Sequence, residues 1–168
     1  MQKKYAFEYE LLEHAGLLPT ADQNLLQAAI IATESAYAPY SNFKVGAAAL
    51  LSTGQIIIGS NQESSSFPVG ICAERTLLNS IGSQYPEATI ISMAVSYDPL
   101  NKPSIEPISP CGMCRQSLLD FENRYHAPIK IILAGKSGPV MVLPSASNLL
   151  PFDFEGAIIS KESLKQEK

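Results

Sequence analysis

The sequence predicts a three-layer α/β/α domain around a mixed five-stranded sheet. Near-continuous apolar runs of strand length alternate with segments of helical period, the pattern of a sheet covered on both faces. At 168 residues the chain suits one domain with a sizeable core. No internal repeat or linker-like stretch divides it. The domain is expected over residues 21–156, after an N-terminal extension (1–20) and before a charged C-terminal tail (157–168).

The elements follow in order. Residues 1–20 have no clean period and read as an extension packed on the domain. Thr20-Ala21-Asp22-Gln23 reads as a capping box, with Leu26, Ile30, Thr33 and Tyr37 at helical spacing and Pro39 as the stop. Lys44 to Leu51 and Gln55 to Gly59 are strands around the tight turn Thr53-Gly54. Asn61 to Gly70 is a polar loop, and a helix starts at Cys72 and runs to Gly82. Thr89 to Tyr97 is a third strand, uncharged and rich in apolar and β-branched residues. Asp98 to Pro110 carries four prolines and must be loop. A second cysteine segment opens a helix to about Tyr125, with His126 at its C-terminal end. Ile129 to Ala134 and Val140 to Leu143 complete the strands, and Ser145 begins a short helical turn.

Composition narrows the function. Hydrophobic residues make up 46% and charged residues 17%, as in ordinary soluble globular proteins. The net charge is −4 and no dense Lys/Arg cluster exists, which argues against a chain built to grip a nucleic-acid backbone. No apolar run approaches the ~20 residues that cross a bilayer, so no membrane partner is expected. The start, Met1-Gln2-Lys3-Lys4-Tyr5, lacks the pattern of a signal peptide. An odd count of three cysteines suits thiols kept for a metal in a reducing compartment, and a cytoplasmic location is expected.

All three cysteines fall in two short segments, Cys72-Ala73-Glu74-Arg75 and Pro110-Cys111-Gly112-Met113-Cys114-Arg115-Gln116. A lone Cys-x-x-Cys would be weak. Here a second half-site, a glutamate two residues after it and a preceding proline agree with the pattern of a zinc-dependent deaminase. Each half-site sits at an expected helix start, where free N–H groups and the helix dipole favour a thiolate. Three thiolates leave a tetrahedral zinc with one open position, as in catalytic sites. A structural zinc knot would want a fourth ligand, and neither His14 nor His126 adjoins a half-site. One zinc per chain is expected on Cys72, Cys111 and Cys114. Glu74 is the expected proton shuttle between water, ring nitrogen and departing amine. Arg75 either offsets the thiolate charge by hydrogen bonding to a sulfur or serves in an ordinary salt bridge; both readings stay open.

The segments Tyr37-Ala38-Pro39-Tyr40-Ser41-Asn42-Phe43, Asn61-Gln62-Glu63, Ile71-Cys72-Ala73-Glu74-Arg75, Pro110 to Gln116 and Leu149-Leu150-Pro151 are together more specific than the zinc spacing. In them the chain resembles the small cytidine deaminases of pyrimidine salvage, over about Leu25 to Phe154. The resemblance implies a cytidine-deaminase-like fold and hydrolysis of cytidine and deoxycytidine to uridine and deoxyuridine. It also implies a homotetramer with shared active sites. Phe43 would stack on the pyrimidine, and Asn61 and Glu63 would bind ribose hydroxyls. The backbone N–H of Ala73 would meet the base carbonyl, and the carbonyl of Ser109 would accept from the leaving amine. Phe154 would enter a neighbouring subunit's site. The family usually continues Asn-x-Glu with Asn-Ala-Ser or Asn-Ala-Ala and then Tyr; this chain has Ser64-Ser65-Ser66-Phe67. The N-terminal extension is likewise not general to the family. Two other functions compete: the same zinc chemistry on a modified or antibiotic aminonucleoside, and a non-catalytic deaminase-like nucleoside-binding protein. The Asn-x-Glu pair weighs against the first, and the intact glutamate and cysteines against the second.

Overall fold

The computed structural model describes residues 1–154. The expected tail at 157–168, and the last two residues of the expected domain, lie outside the described residues. Strand β1 spans Glu10–Leu12, helix α1 Thr20–Ala32, β2 Phe43–Leu51, β3 Ile56–Ser60 and α2 Ala73–Gln84. There follow β4 (Ile90–Pro99), α3 (Gly112–Tyr125), β5 (Lys130–Ala134) and β6 (Val140–Leu143). The sheet order is β1-β6-β5-β4-β2-β3, with β4 and β5 parallel and every other pair antiparallel.

The mixed sheet and its three layers are as expected, but the sheet has six strands rather than five. The addition is β1, which pairs with β6 through Glu10 to Leu12, inside the extension. Three residues are too few to show a strand period, so this strand exists only because β6 offers an edge.

Period-2 alternation divides the core. Ala47, Ala49, Met93, Val95, Ile131 and Leu133 face one way and pack with Leu77, Leu78 and Ile81 of α2 and Leu118 of α3. Their neighbours Ala48, Ala94 and Ile132 face the other way, against Leu25, Leu26 and Ala29 of α1. Alanine dominates β2 because helices approach closely on both sides. A Cβ on Gly46 would stand 2.1 Å from the carbonyl oxygen of Ala29, and one on Gly59 would stand 2.7 Å from the amide nitrogen of Leu77. Gly59 thus seats the first turns of α2, those that follow Cys72, directly on β3.

The capping box does not form as expected. Pro19, in extended conformation, precedes the helix, so Thr20 is already helical and caps nothing with its side chain. The Asp22 and Gln23 amides donate to the Pro19 carbonyl, and Gln23 Nε2 reaches back to the carbonyl of Leu18 at 2.8 Å. Asp22 instead pairs with Lys130 of β5 at 2.6 Å. The helix also stops before Pro39: a 3-10 turn over Thr33–Ser35 follows Ala32, and the Tyr37 amide donates to the Asn61 carbonyl. Helix α3 ends as expected at His126, which adopts the left-handed conformation with φ 50°.

Glu122 is a buried carboxylate joining α3 to the last part of the fold. It accepts from the amides of Ile129 (2.6 Å), Ala146 (2.7 Å) and Ser147 (3.1 Å) and from the Ser145 hydroxyl (2.9 Å). Truncation would strand several buried donors at about 1–3 kcal/mol each. Glu122→Ala should therefore lower unfolding stability by about 3 kcal/mol or more, read as a drop in the urea midpoint. A midpoint unchanged from wild type would refute that role.

Candidate active site

Cys72 and Cys111 are the N-cap residues of α2 and α3, and Cys114 lies in the first turn of α3. The crossover packing brings both helix starts together, and the three sulfurs all lie within 4.8 Å of one another. Cys72 Sγ is 3.7 Å from Cys111 Sγ, which is 3.5 Å from Cys114 Sγ. A tetrahedral zinc with Zn–S of about 2.3 Å needs sulfurs roughly 3.8 Å apart. The donor set and its spacing fit zinc.

Electrostatics prepares these thiols unequally. Hydrogen bonding from Cys114 is the main cause that brings Cys72 down to about 6, helped by Cys111 and the charge of Arg75 against the opposing effect of burial. Cys114, buried and donating to Cys72, is pushed up. A divalent cation reverses that penalty by replacing the shared protons. Arg75 is half-buried and makes no side-chain hydrogen bond or ion pair among the described residues; it acts on Cys72 through charge.

Glu74, one residue into α2, is 4% exposed. Desolvation holds its carboxyl above the ordinary value, and the negative charge of Cys72 adds to this. A desolvated carboxylate beside the thiol cluster has a raised proton affinity, which suits a group that takes up and passes on a proton. Ala73, the first residue of α2, has the free amide of a helix start.

A cleft of about 500 Å³ opens over this cluster, reaching Cys72, Glu74 and Cys111 on one side and Phe43, Asn61, Glu63 and Ser109 on the other. Phe43 stacks one face on Tyr97, at 5.2 Å and 16° between planes, leaving the other face for a ligand. Asn61 Oδ1 accepts from the Val45 amide at 2.7 Å and its Nδ2 donates to the Phe43 carbonyl at 3.0 Å, so one N–H and one lone pair remain. Glu63 accepts from the Ser41 hydroxyl and from the amides of Tyr40 (2.9 Å) and Ser41 (3.2 Å). These donors, the hydroxyl above all, hold its carboxyl below the ordinary value, so it is a pure acceptor at neutral pH. Ser109 sits exposed in the loop before the second half-site.

The segment expected as a free polar loop is pinned. Gln62 bridges Tyr37 on one side and Ile71 on the other, which fixes Asn61 and Glu63 beside Cys72. Phe154 lies away from its own cleft. Its ring is 70% exposed, while its backbone exchanges two hydrogen bonds with the Gln116 amide, at 3.1 and 3.2 Å.

Sequence reasoning missed Arg115, whose Nε donates to the Pro110 carbonyl at 2.8 Å and whose guanidinium also reaches the Leu149 carbonyl at 3.2 Å. It ties the second half-site to the Leu-Leu-Pro segment. The signal was its place directly after Cys114, on the inner side of the helix. Ile108 and Phe67, which also border the cleft, carried no such signal.

Known proteins with this arrangement agree with the geometry. Residues 19–126 match the family model described as the cytidine and deoxycytidylate deaminase zinc-binding region. A cytidine deaminase of Halalkalibacterium halodurans is 37% identical over 132 residues, covering 79% of this chain and 92% of that protein. The crystal structure of cytidine deaminase from Burkholderia pseudomallei superposes with a TM-score of 0.66 at 38% identity, covering 78% of this chain and 97% of the other. That of the Mycobacterium tuberculosis enzyme gives 0.63 at 27% identity, covering 82% and 99%. With its three thiols, its buried glutamate and its fold all accounted for, the chain belongs to the cytidine and deoxycytidylate deaminase family and is a zinc-dependent hydrolytic deaminase.

Proposed function

We propose that this protein hydrolyses free cytidine and deoxycytidine to uridine and deoxyuridine, releasing ammonia, as a cytoplasmic enzyme of pyrimidine salvage. The observation that carries the reading is one cleft that joins the thiol cluster and Glu74 to Phe43, Asn61 and Glu63. The chemistry of the base lies at one end and the recognition of a sugar at the other. Cys72, Cys111 and Cys114 would hold one zinc per chain, which would supply a Lewis acid that lowers the pKa of water.

The chain's residues do the rest. Phe43 stacks on the pyrimidine with its free face. The Ala73 amide donates to the base carbonyl, and Asn61 and Glu63 engage the ribose hydroxyls. Glu74 takes the proton from the attacking water and delivers it to the ring nitrogen next to the amine-bearing carbon. It then takes the proton of the hydroxyl added to that carbon and gives it to the exocyclic nitrogen; the C–N bond breaks as the carbonyl forms, and ammonia leaves while the Ser109 carbonyl accepts from it. Burial of Glu74 suits this role, because desolvation raises the proton affinity of its carboxylate. The assembly is a homotetramer in which Phe154 completes a neighbour's site. Its exposed ring, on a backbone clamped by Gln116, supports this.

Three outcomes follow. Glu74→Gln should retain zinc and nucleoside binding but lose at least ~10²-fold in turnover, the usual range for positioned acid–base catalysis. Metal analysis should show Cys111→Ala depleted of zinc in parallel; full zinc retention there, or a Glu74→Gln rate within tenfold of wild type, rejects the assignments.

An absorbance assay of the zinc-loaded protein should show cytidine and deoxycytidine turned over far better than cytosine, cytidine monophosphate or blasticidin S. A site built around ribose hydroxyls strongly rejects a ligand lacking them. Comparable specificity constants for cytidine and free cytosine would overturn the nucleoside reading, and a preference for blasticidin S would replace it with the antibiotic one.

Light scattering should give a tetramer, and Phe154→Ala should raise KM for cytidine while leaving the zinc content intact. A fully active monomer at micromolar concentration would exclude the shared site.

A further inference from the structure

We propose that Ser41 is a positioning residue for nucleoside specificity, coupling the base-stacking Phe43 to the carboxylate of Glu63. The Ser41 hydroxyl is committed at both ends. It accepts from the Phe43 amide at 3.0 Å and donates to Glu63 Oε1. The Ser41 and Tyr40 amides then fix the other carboxylate oxygen, at 3.2 and 2.9 Å. With three donors on two oxygens, the carboxylate has one orientation and about one acceptor site left for a ligand.

The turn itself is built to hold that geometry. Asn42 adopts the left-handed conformation with φ 54°, its amide donates to the Ala38 carbonyl at 3.1 Å, and its carbonyl accepts from Leu100 at 3.1 Å. Asparagine tolerates that conformation better than most residues. The chain therefore reverses between Ala38 and Phe43, so that successive amides aim at one carboxylate. The Ser41 hydroxyl is the one side-chain group that bonds both Phe43 and Glu63, and so links the two ends of the site. Ser41 touches no reacting atom, and its effect is on how well a ribose hydroxyl is held.

This inference rests on the ribose reading of Glu63, so the test separates the two. The specificity constants of the zinc-loaded full chain are measured on cytidine and on 2′,3′-dideoxycytidine, which lacks both ribose hydroxyls. Ser41→Ala should lose about tenfold on cytidine, mainly through KM, and less than twofold on the dideoxy substrate. Ser41→Thr should restore cytidine to near wild type, and Ser41→Ala/Glu63→Ala should be no worse than Glu63→Ala alone. Ser41 is exposed, so its truncation opens no core cavity. If Glu63→Ala leaves the cytidine-to-dideoxycytidine ratio unchanged, the ribose reading fails and this inference with it. If Glu63→Ala collapses the ratio but Ser41→Ala does not shift it, or lowers both substrates equally, the coupling role of Ser41 is overturned while the ribose reading stands.

Discussion

Three sulfurs from two helix starts must fit within one coordination shell, and most of the architecture answers to that constraint. Cys72 and Cys111 are both N-cap residues, so α2 and α3 have to begin side by side. The parallel β4–β5 pair makes this possible, because a parallel connection needs a crossover and here α3 supplies it. Gly59 lets α2 lie on β3 without a side chain between them. Arg115 and Glu122 then tie α3 to the chain that follows, through the Leu149 carbonyl in one case and the Ala146 and Ser147 amides in the other. The clustering of thiols and a buried carboxyl is electrostatically unfavourable by itself: Glu74 and Cys114 are both pushed towards their neutral forms. The fold holds them together regardless, which is the usual mark of a site shaped by chemistry rather than by stability.

The substrate wall is built by different means. It uses short backbone bridges in place of regular elements. Tyr37 and Ile71 grip Gln62 from both sides, and the residues flanking Gln62 point their polar groups at the cleft. Asn61 is itself a brace, since its amide spans Phe43 and Val45 of β2. The departure Ser64-Ser65-Ser66-Phe67 falls just beyond the bridged stretch, where Phe67 meets Tyr40 edge-on at 5.6 Å. The metal half and its supports are untouched by it.

How much of this was legible in the sequence depended on whether the cause was local. The thiol cluster was legible because each half-site carries its own spacing and its own helix start. The three layers were legible because strands such as Lys130–Ala134 are almost wholly apolar, here Ile131 to Ala134 after one lysine. The sixth strand was not, because Glu10–Leu12 becomes a strand only through pairing with residues some 130 positions away. The capping box misled because Pro19 had already set the entry conformation, and Asp22 was taken by Lys130 instead. The Tyr37–Gln62 bridge and the clamp of Ser41 on Glu63 join segments more than 20 residues apart, and no period or spacing announces such a contact.

The two halves of the cleft differ in one respect that bears on how catalysis is achieved. Glu74 and Cys114 are buried within the chain, whereas Cys111 and Ser109 stand exposed and the cleft is open beside them. Electrostatic positioning acts most strongly where water is excluded. A single chain supplies that exclusion beneath the metal ligands but not above them. The chain also carries large exposed aromatics: Phe67, 73% exposed, on this rim against Tyr40, and Phe154, 70% exposed, away from it and held by the Gln116 amide. Holding an apolar ring in water by its backbone stabilises little unless a surface comes to meet it. The proposed sharing of Phe154 between subunits answers both needs at once: it removes the ring from solvent and closes a cleft that the protomer leaves open.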